Sequence, residues 1–219
     1  MPLPSPQEAA VPLRLIRPLL LVISAPSGAG KSTLCARLRV DFPGMAYSVS
    51  CTTRTPRGEE RDGREYHFLT PEAFERKLQA GEFLEWAAVH DRRYGTLRAP
   101  LEAELRAGRD VLMDIDVQGA ARIRAAARRE DTAGLLQRAF LDIFVTPPSL
   151  EVLRQRMTSR AENAVTEIEM RVQNAEHELR RWREYRYLVV NENLDHAYAE
   201  LKGIVLAEHC RNLDVETKL

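Results

Sequence analysis

Ser24-Ala25-Pro26-Ser27-Gly28-Ala29-Gly30-Lys31-Ser32-Thr33 is the stretch that most constrains how this 219-residue chain can fold. It follows the continuous apolar run Leu19–Ser24 and opens a helical pattern near Lys31–Val40. A glycine-rich turn between a buried strand and a helix, closed by Lys-Ser, is a phosphate-binding loop in its required context. Gly28 and Gly30 let the backbone bend until several N–H groups face one anion, and the helix N-terminus adds partial positive charge. Lys31 can reach terminal phosphates and the Ser32 hydroxyl can ligand Mg²⁺. Ala25 stands where the pattern has its first glycine. The residues Ala25, Pro26, Ser27, Gly28, Ala29, Gly30, Lys31 and Ser32 are thus read as a nucleotide cradle.

Such a loop requires a packed sheet behind it, and 44% hydrophobic residues over this length suffice for a sizeable core. Lys plus Arg and Asp plus Glu are 32 each, so the net charge is zero and nucleic acid is a poor partner. Cys35, Cys51 and Cys210 have neither disulfide-framework nor zinc spacing, which favours a reducing cytoplasm. Arg14 and Arg17 before Leu19–Ala25 mimic a secretory signal, but that run passes straight into the glycine turn and reads as a strand. No stretch approaches the roughly 18 apolar residues of a membrane span. Residues 1–18 hold five of the twelve prolines and are expected to form a disordered tail.

From Leu19 onward strands and helices alternate. Strands are expected at Asp110–Ile115, Phe140–Val145 and Arg186–Val190. Helices are expected at Leu97–Ala107, Gly119–Arg129, Ser149–Arg160, Thr166–Arg183 (Thr166 and Glu169 forming a capping box) and Leu194–Cys210. This alternation predicts an α/β fold, a parallel sheet flanked by helices. Between Ala46 and Gly95 the strands are shorter and more polar (Ala46–Ser50, Arg64–Leu69, Phe83–His90) around a helix opened by Thr70-Pro71. That break predicts a small mixed lobe inserted into the sheet.

Val111-Leu112-Met113-Asp114 is an apolar strand ending in a carboxylate, which beside a phosphate loop commonly orders Mg²⁺. Asp116 has the position of a helix N-cap. Arg54 and Arg57 flank Pro56 on one turn, where both can face one anion, and guanidinium forks suit phosphate oxygens. Arg156, Arg160 and Arg171 sit in or beside the helical stretch after Pro148. Arg122, Arg124, Arg128, Arg129, Arg180, Arg181 and Arg183 read as solvated charges, with Glu176 and Arg180 as a helical pair. Two sets of anion-binding arginines beside a phosphate loop suggest phosphoryl transfer between phosphorylated partners. That chemistry needs clustered cations, in-line geometry and exclusion of water, and no strong base.

At this point the chain resembles the guanylate kinase family, P-loop nucleoside monophosphate kinases, from about Leu19 to about Glu208. The resemblance is carried by the loop at 24–33, Ser-Val-Ser-Cys-Thr-Thr-Arg-Thr-Pro-Arg at 48–57 and Gly-Arg-Glu-Tyr-His-Phe at 63–68. Phe-Leu-Glu-Trp-Ala at 83–87, Tyr-Gly-Thr at 94–96, Leu-Met-Asp-Ile-Asp-Val-Gln-Gly at 112–119 and Val-Val-Asn-Glu-Asn-Leu-Asp at 189–195 complete it. It implies a P-loop NTPase core (19–45, 97–148 and 172–210), a GMP-binding lobe (46–96) and a helical lid (149–171) within a domain spanning 18–203. By the same resemblance, GMP phosphate contacts fall on Arg54, Arg57, Tyr66 and Tyr94, and guanine contacts on Ser50, Glu85 and Thr96 with Asp114 and Asp116 close by. Lys31, Arg54, Arg156, Arg160 and Arg171 would be catalytic, and Ser32 and Asp114 would hold Mg²⁺. ATP would be the donor and GMP the acceptor, giving ADP and GDP.

Guanine presents N1–H and an amine as adjacent donors that one carboxylate, Glu85, can accept together. AMP would leave that carboxylate poorly paired. The family's lid motif Gly-Arg-Gly reads Ser159-Arg160-Ala161 here, its acidic run is thinned to Glu162-Asn163-Ala164, and Arg128–Gln137 looks like an insertion. A same-fold kinase of the ribose-bisphosphate type would not need Ser50, Glu85 and Thr96. A non-catalytic guanylate-kinase-like binding module typically has a degraded phosphate loop, whereas Lys31 and Ser32 are intact.

Overall fold

The computed structural model describes residues 17–89, 91–129, 134–158 and 165–211. Residues 1–16 of the expected tail, Arg160 with the rest of 159–164, and 130–133 of the expected insertion lie outside them. Leu20–Ser24 (β1) is entirely buried, because its alternate side chains enter different cores. Leu21 and Ile23 pack with Leu34 and Leu38 of the helix Lys31–Asp41 (α1) and with Leu201 and Val205 of Leu194–His209 (α8). Leu20 and Val22 face Leu101 and Leu105 of Arg98–Arg106 (α3) and Ile123 of Val117–Ala127 (α4). Burying such a side chain completely contributes roughly 1.5–3 kcal/mol. This double burial is why the run reads as continuous rather than alternating.

β1 pairs in parallel with Val111–Asp114 (β7) on one side and Phe140–Thr146 (β8) on the other, and Tyr187–Val190 (β9) follows β8. Ala46–Tyr47 (β2) completes the parallel sheet, in the order β2-β7-β1-β8-β9. This corrects the expected lobe strand at Ala46–Ser50: its first residues pair with Val111 and Leu112, in the core sheet, through Ala46 N–H to the Asp110 carbonyl and Ser48 N–H to that of Leu112.

A second, mixed sheet has the order β4-β3-β6-β5, formed by Cys51–Thr52 (β3), His67–Phe68 (β4), Phe83–Val89 (β5) and Arg92–Leu97 (β6). β6 was not foreseen: Arg92-Arg93-Tyr94-Gly95 lacks apolar alternation, and pairing with β5 supplies what propensity does not. The expected strand Arg64–Leu69 shrinks to two residues, because Asp62 accepts the Phe68 N–H and Gly63 turns back onto the Tyr66 carbonyl. Pro71–Gln79 (α2) starts as expected, with Thr70 capping the Ala73 N–H.

The remaining helices are Leu135–Ala139 (α5), Leu150–Thr158 (α6) and Val165–Leu179 (α7). α7 begins one residue before Thr166, so Thr166 is inside the helix and not its cap. It also stops short of Arg183, giving way to a 3-10 turn at Trp182–Glu184 where Tyr185 packs on Phe144. The Glu176–Arg180 pair forms at 2.9 Å. Arg124, expected in solvent, is buried between Asp142 (2.6 Å) and Glu184 (3.1 Å), a correction forced by its placement on the inward face of α4. No helix of the described residues is long and apolar enough to cross a membrane.

Candidate functional site

The turn from β1 to α1 is held open by three contacts from elsewhere in the chain. Gly28 and Gly30 have φ of 85° and 91°, a region that L side chains rarely occupy. Behind them, the Asn191 amide at the end of β9 donates to the Ala29 carbonyl at 2.7 Å. A Cβ on Gly30 would lie 2.3 Å from that amide nitrogen, so both the fold of the turn and its neighbour demand glycine here. Lys31 crosses to β7, with Nζ 2.5 Å from Asp114 Oδ1 and 3.0 Å from the Ile115 carbonyl. On the solvent side, Arg171 of α7 donates to the Ser27 hydroxyl at 2.8 Å.

The loop lines a cavity of about 400 Å³, with Ala25, Pro26, Ser27, Gly28, Gly30, Lys31, Ser32 and Thr33 on its wall and Asp116 across from them. Glu178 joins them, a residue that sequence reasoning missed. Its signal was its position two turns after Arg171, on the same face of α7. Burial pushes the Glu178 carboxyl above the usual range, Asp116 adds to that and Lys31 opposes it. Asp116 is the α4 N-cap: its Oδ1 accepts the Gly119 N–H at 2.7 Å. Arg156 is directed to the Glu192 carbonyl at 3.1 Å, while Arg160 is outside the described residues.

The mixed sheet assembles a second group. β5 places Glu85 opposite Thr96 of β6, and the Thr96 hydroxyl donates to Glu85 Oε1 at 3.0 Å. Cys51 pairs with Gly95, and Ser50 directly precedes that pair, its carbonyl accepting the His67 N–H at 2.9 Å. Glu85 and Thr96 share one face of the sheet. Glu85 is only 8% exposed, and burial pushes its carboxyl upward, against the Thr96 hydrogen bond and the Arg122 charge.

Two residues from Thr96, Tyr94 lies on the same face, its ring 5.9 Å from that of Tyr66. Arg54 lies over Tyr66 at 5.3 Å and forms a fork with Glu60, both contacts at 2.9 Å. Glu60 also accepts the Arg57 N–H at 2.8 Å, while the Arg57 side chain is exposed. Arg54 holds the Glu60 carboxyl below its usual range, with the Arg57 N–H assisting. Glu60 also went unforeseen; only its place three residues after Arg57 on the same turn hinted at it.

The loop cavity, with Lys31 and the glycine backbone on its wall, suits a phosphate, and the second group combines the Arg54 guanidinium with the buried Glu85 carboxyl, which suit an anion carrying a hydrogen-bonding base. Among the described residues, no cluster of three or more His, Cys, Asp and Glu side chains could hold a metal ion by itself. A hard cation here would depend on ligands brought by a phosphate, as Mg²⁺ commonly does.

The guanylate kinase family model matches residues 17–208. The guanylate kinase of Mesorhizobium japonicum is 44% identical over 195 residues, covering 89% of this chain and 85% of that one. That of Chelativorans sp. is 42% identical over 207 residues, covering 94% and 91%. In three dimensions, the crystal structure of guanylate kinase from Anaplasma phagocytophilum superposes with a TM-score of 0.68 at 29% identity, covering 90% of this chain and 89% of the other.

Proposed function

The chain belongs to the guanylate kinase family and transfers a phosphoryl group from ATP to GMP, giving ADP and GDP, and from that premise we propose how its residues divide the work. Ala25–Ser32 cradles the ATP phosphates, with Lys31 neutralising the β,γ-oxygens. Arg54, Arg57, Tyr66 and Tyr94 hold the GMP phosphate, while Ser50, Glu85 and Thr96 read guanine. Glu85 accepts N1–H and the exocyclic amine together, and a hydroxyl from Ser50 or Thr96 serves O6.

The segment 149–171 acts as the lid over a core of 19–47, 97–148 and 172–210, with 48–96 as the GMP lobe. Its arginines 156, 160 and 171 stabilise the transferring group and its closure excludes water. Ser32 and Asp114 would hold Mg²⁺. Their donor set fits in kind, since a hydroxyl and a carboxylate are hard oxygen ligands, with Asp114 shared with the Lys31 ammonium at 2.5 Å. The ion supplies charge neutralisation between phosphates. Asp116 orders the start of α4 beside the loop. The three free thiols suit a cytoplasmic setting.

The observation that carries this division is the buried Glu85 carboxylate held by the hydroxyl of Thr96 directly opposite it. An ADP-release assay with GMP and AMP tests it on Glu85→Gln. The variant should lower the GMP-to-AMP ratio of kcat/KM by about 10²-fold, the upper scale of one buried polar group left unpaired. An unchanged ratio would remove Glu85 as the base reader.

A further inference from the structure

Glu85 has a neighbour outside the lobe. Arg122, on the exposed shoulder of α4, places Nη1 3.9 Å from Glu85 Oε2. That nitrogen is enclosed and has no hydrogen-bond acceptor, while Nη2 is tethered to Gln118 Oε1 at 3.4 Å. Both residues line a groove of about 430 Å³ between β5 and α4, together with Trp86 and Arg129.

We propose that Arg122 is a positioning residue for base selection: it keeps the enclosed Glu85 ionised so that both carboxylate oxygens can accept from guanine. The inference rests on the assignment of Glu85 as the base reader. The separation is the informative feature. At 3.9 Å the guanidinium contributes charge without occupying an Oε2 lone pair, since a hydrogen bond needs about 3 Å. Oε1 is already committed to the Thr96 hydroxyl on β6. A protonated Glu85 would carry a donor where guanine also presents donors, and the match would fail.

The charged groups around Glu85 pull in opposite directions. Burial and Asp116 at the head of α4 favour its protonated form, whereas Thr96 and Arg122 favour the carboxylate. Arg122 is the one cation within ion-pair distance of Glu85 among the described residues. Removing it therefore leaves an enclosed carboxyl opposed only by a neutral hydroxyl.

The test is kcat/KM for GMP between about pH 5.5 and 8.5 in the full chain, with AMP alongside, for the wild type, Arg122→Gln, Arg122→Lys and Glu85→Gln. The GMP phosphate titrates near pH ~6 in every case, so the ratio of variant to wild type cancels it. An opposite charge within about 4–6 Å moves a carboxyl by about one unit or more, so Arg122→Gln should shift the acid limb upward by about that much.

The expected result is a loss that grows as pH falls and approaches at most about tenfold for a one-unit shift, no loss at the alkaline end, an unmoved KM for ATP, and near wild-type behaviour in Arg122→Lys. A loss equal at all pH, a profile superimposable on wild type, or an Arg122→Lys as impaired as Arg122→Gln would each overturn the proposal. If Glu85→Gln abolishes the GMP preference while Arg122→Gln superimposes on wild type, the role of Arg122 fails and the base reader stands. If Glu85→Gln leaves the preference intact, the base assignment itself falls, and this inference with it.

Discussion

The Asn191 side-chain amide donates to the Ala29 carbonyl at 2.7 Å across 162 residues of sequence, and Gly30 is the neighbour that leaves room for it. Asn191 is 4% exposed, so the bond is made in a dry environment where an unmade partner is costly. The end of β9 therefore sets the shape of the loop that follows β1.

Removing that amide should be felt in both stability and nucleotide binding. Asn191→Ala leaves the Ala29 carbonyl without its partner and should cost about 1–3 kcal/mol by urea unfolding. Calorimetric ATP affinity should fall with it. Gly30→Ala adds a Cβ that collides with Asn191 and holds φ at 91°, so it should be worse. The double variant relieves the collision and leaves the backbone strain, so it should recover only part of the Gly30→Ala loss. Full recovery would show that the collision alone matters.

Lys31 is the one lysine lining the cavity, and it already sits against Asp114. Lys31→Ala should lower turnover by ~10³-fold or more, the scale of a cation acting on transferring phosphate. Its circular dichroism spectrum should match the wild type. A rate within a few fold of wild type would exclude the assigned role.

The buried pair Arg124–Asp142 is a stability device remote from the phosphate loop. Asp142→Asn leaves the Arg124 guanidinium, 7% exposed, with Glu184 as its remaining carboxylate, which should cost about 1–3 kcal/mol. For a chain of this size that is roughly 5 °C in Tm, read by differential scanning calorimetry. Asp142 also accepts the Arg186 N–H at 2.9 Å, so replacing both charged partners by apolar residues should still leave a deficit. Activity per folded molecule should be unchanged.

Thiol chemistry reports the burial of the core directly. Cys35 and Cys51 are buried, and desolvation pushes their thiols up to about 12 and about 11. Cys210 is exposed at the end of α8. Under native conditions at about pH 8, a disulfide reagent should therefore titrate one thiol quickly, and the other two only after denaturation, since the thiolate is the reacting form. Fast reaction of Cys35 would mean that α1 opens locally beside the phosphate loop.

Much of this molecule was legible along the chain because its signals are local. The phosphate loop occupies ten consecutive residues, so strand, turn and helix could be read as one unit with Lys31 in place. The same holds for Thr70-Pro71 and for the strands buried on both faces, whose apolar runs need no partner to be recognised. The short pairings of the lobe were not legible in this way. β6 is polar and broken by Gly95, and β3 is two residues long; each becomes a strand only because a neighbour offers a hydrogen-bonding edge.

What remained for tertiary structure to decide was which distant groups meet. Sequence alone determined the parallel α/β core, the phosphate loop and the residue types able to bind two phosphates. It could not place Asn191 behind Ala29, Glu60 in the fork of Arg54, Glu178 in the phosphate cavity or Arg122 against Glu85. Arg122 and Arg124, two positions apart on α4, were indistinguishable as exposed charges. Their fates separated because 3.6 residues per turn directs one toward the lobe sheet and the other into the core. Charges take their roles from burial and from the partner within a few ångströms, and both are properties of the folded chain.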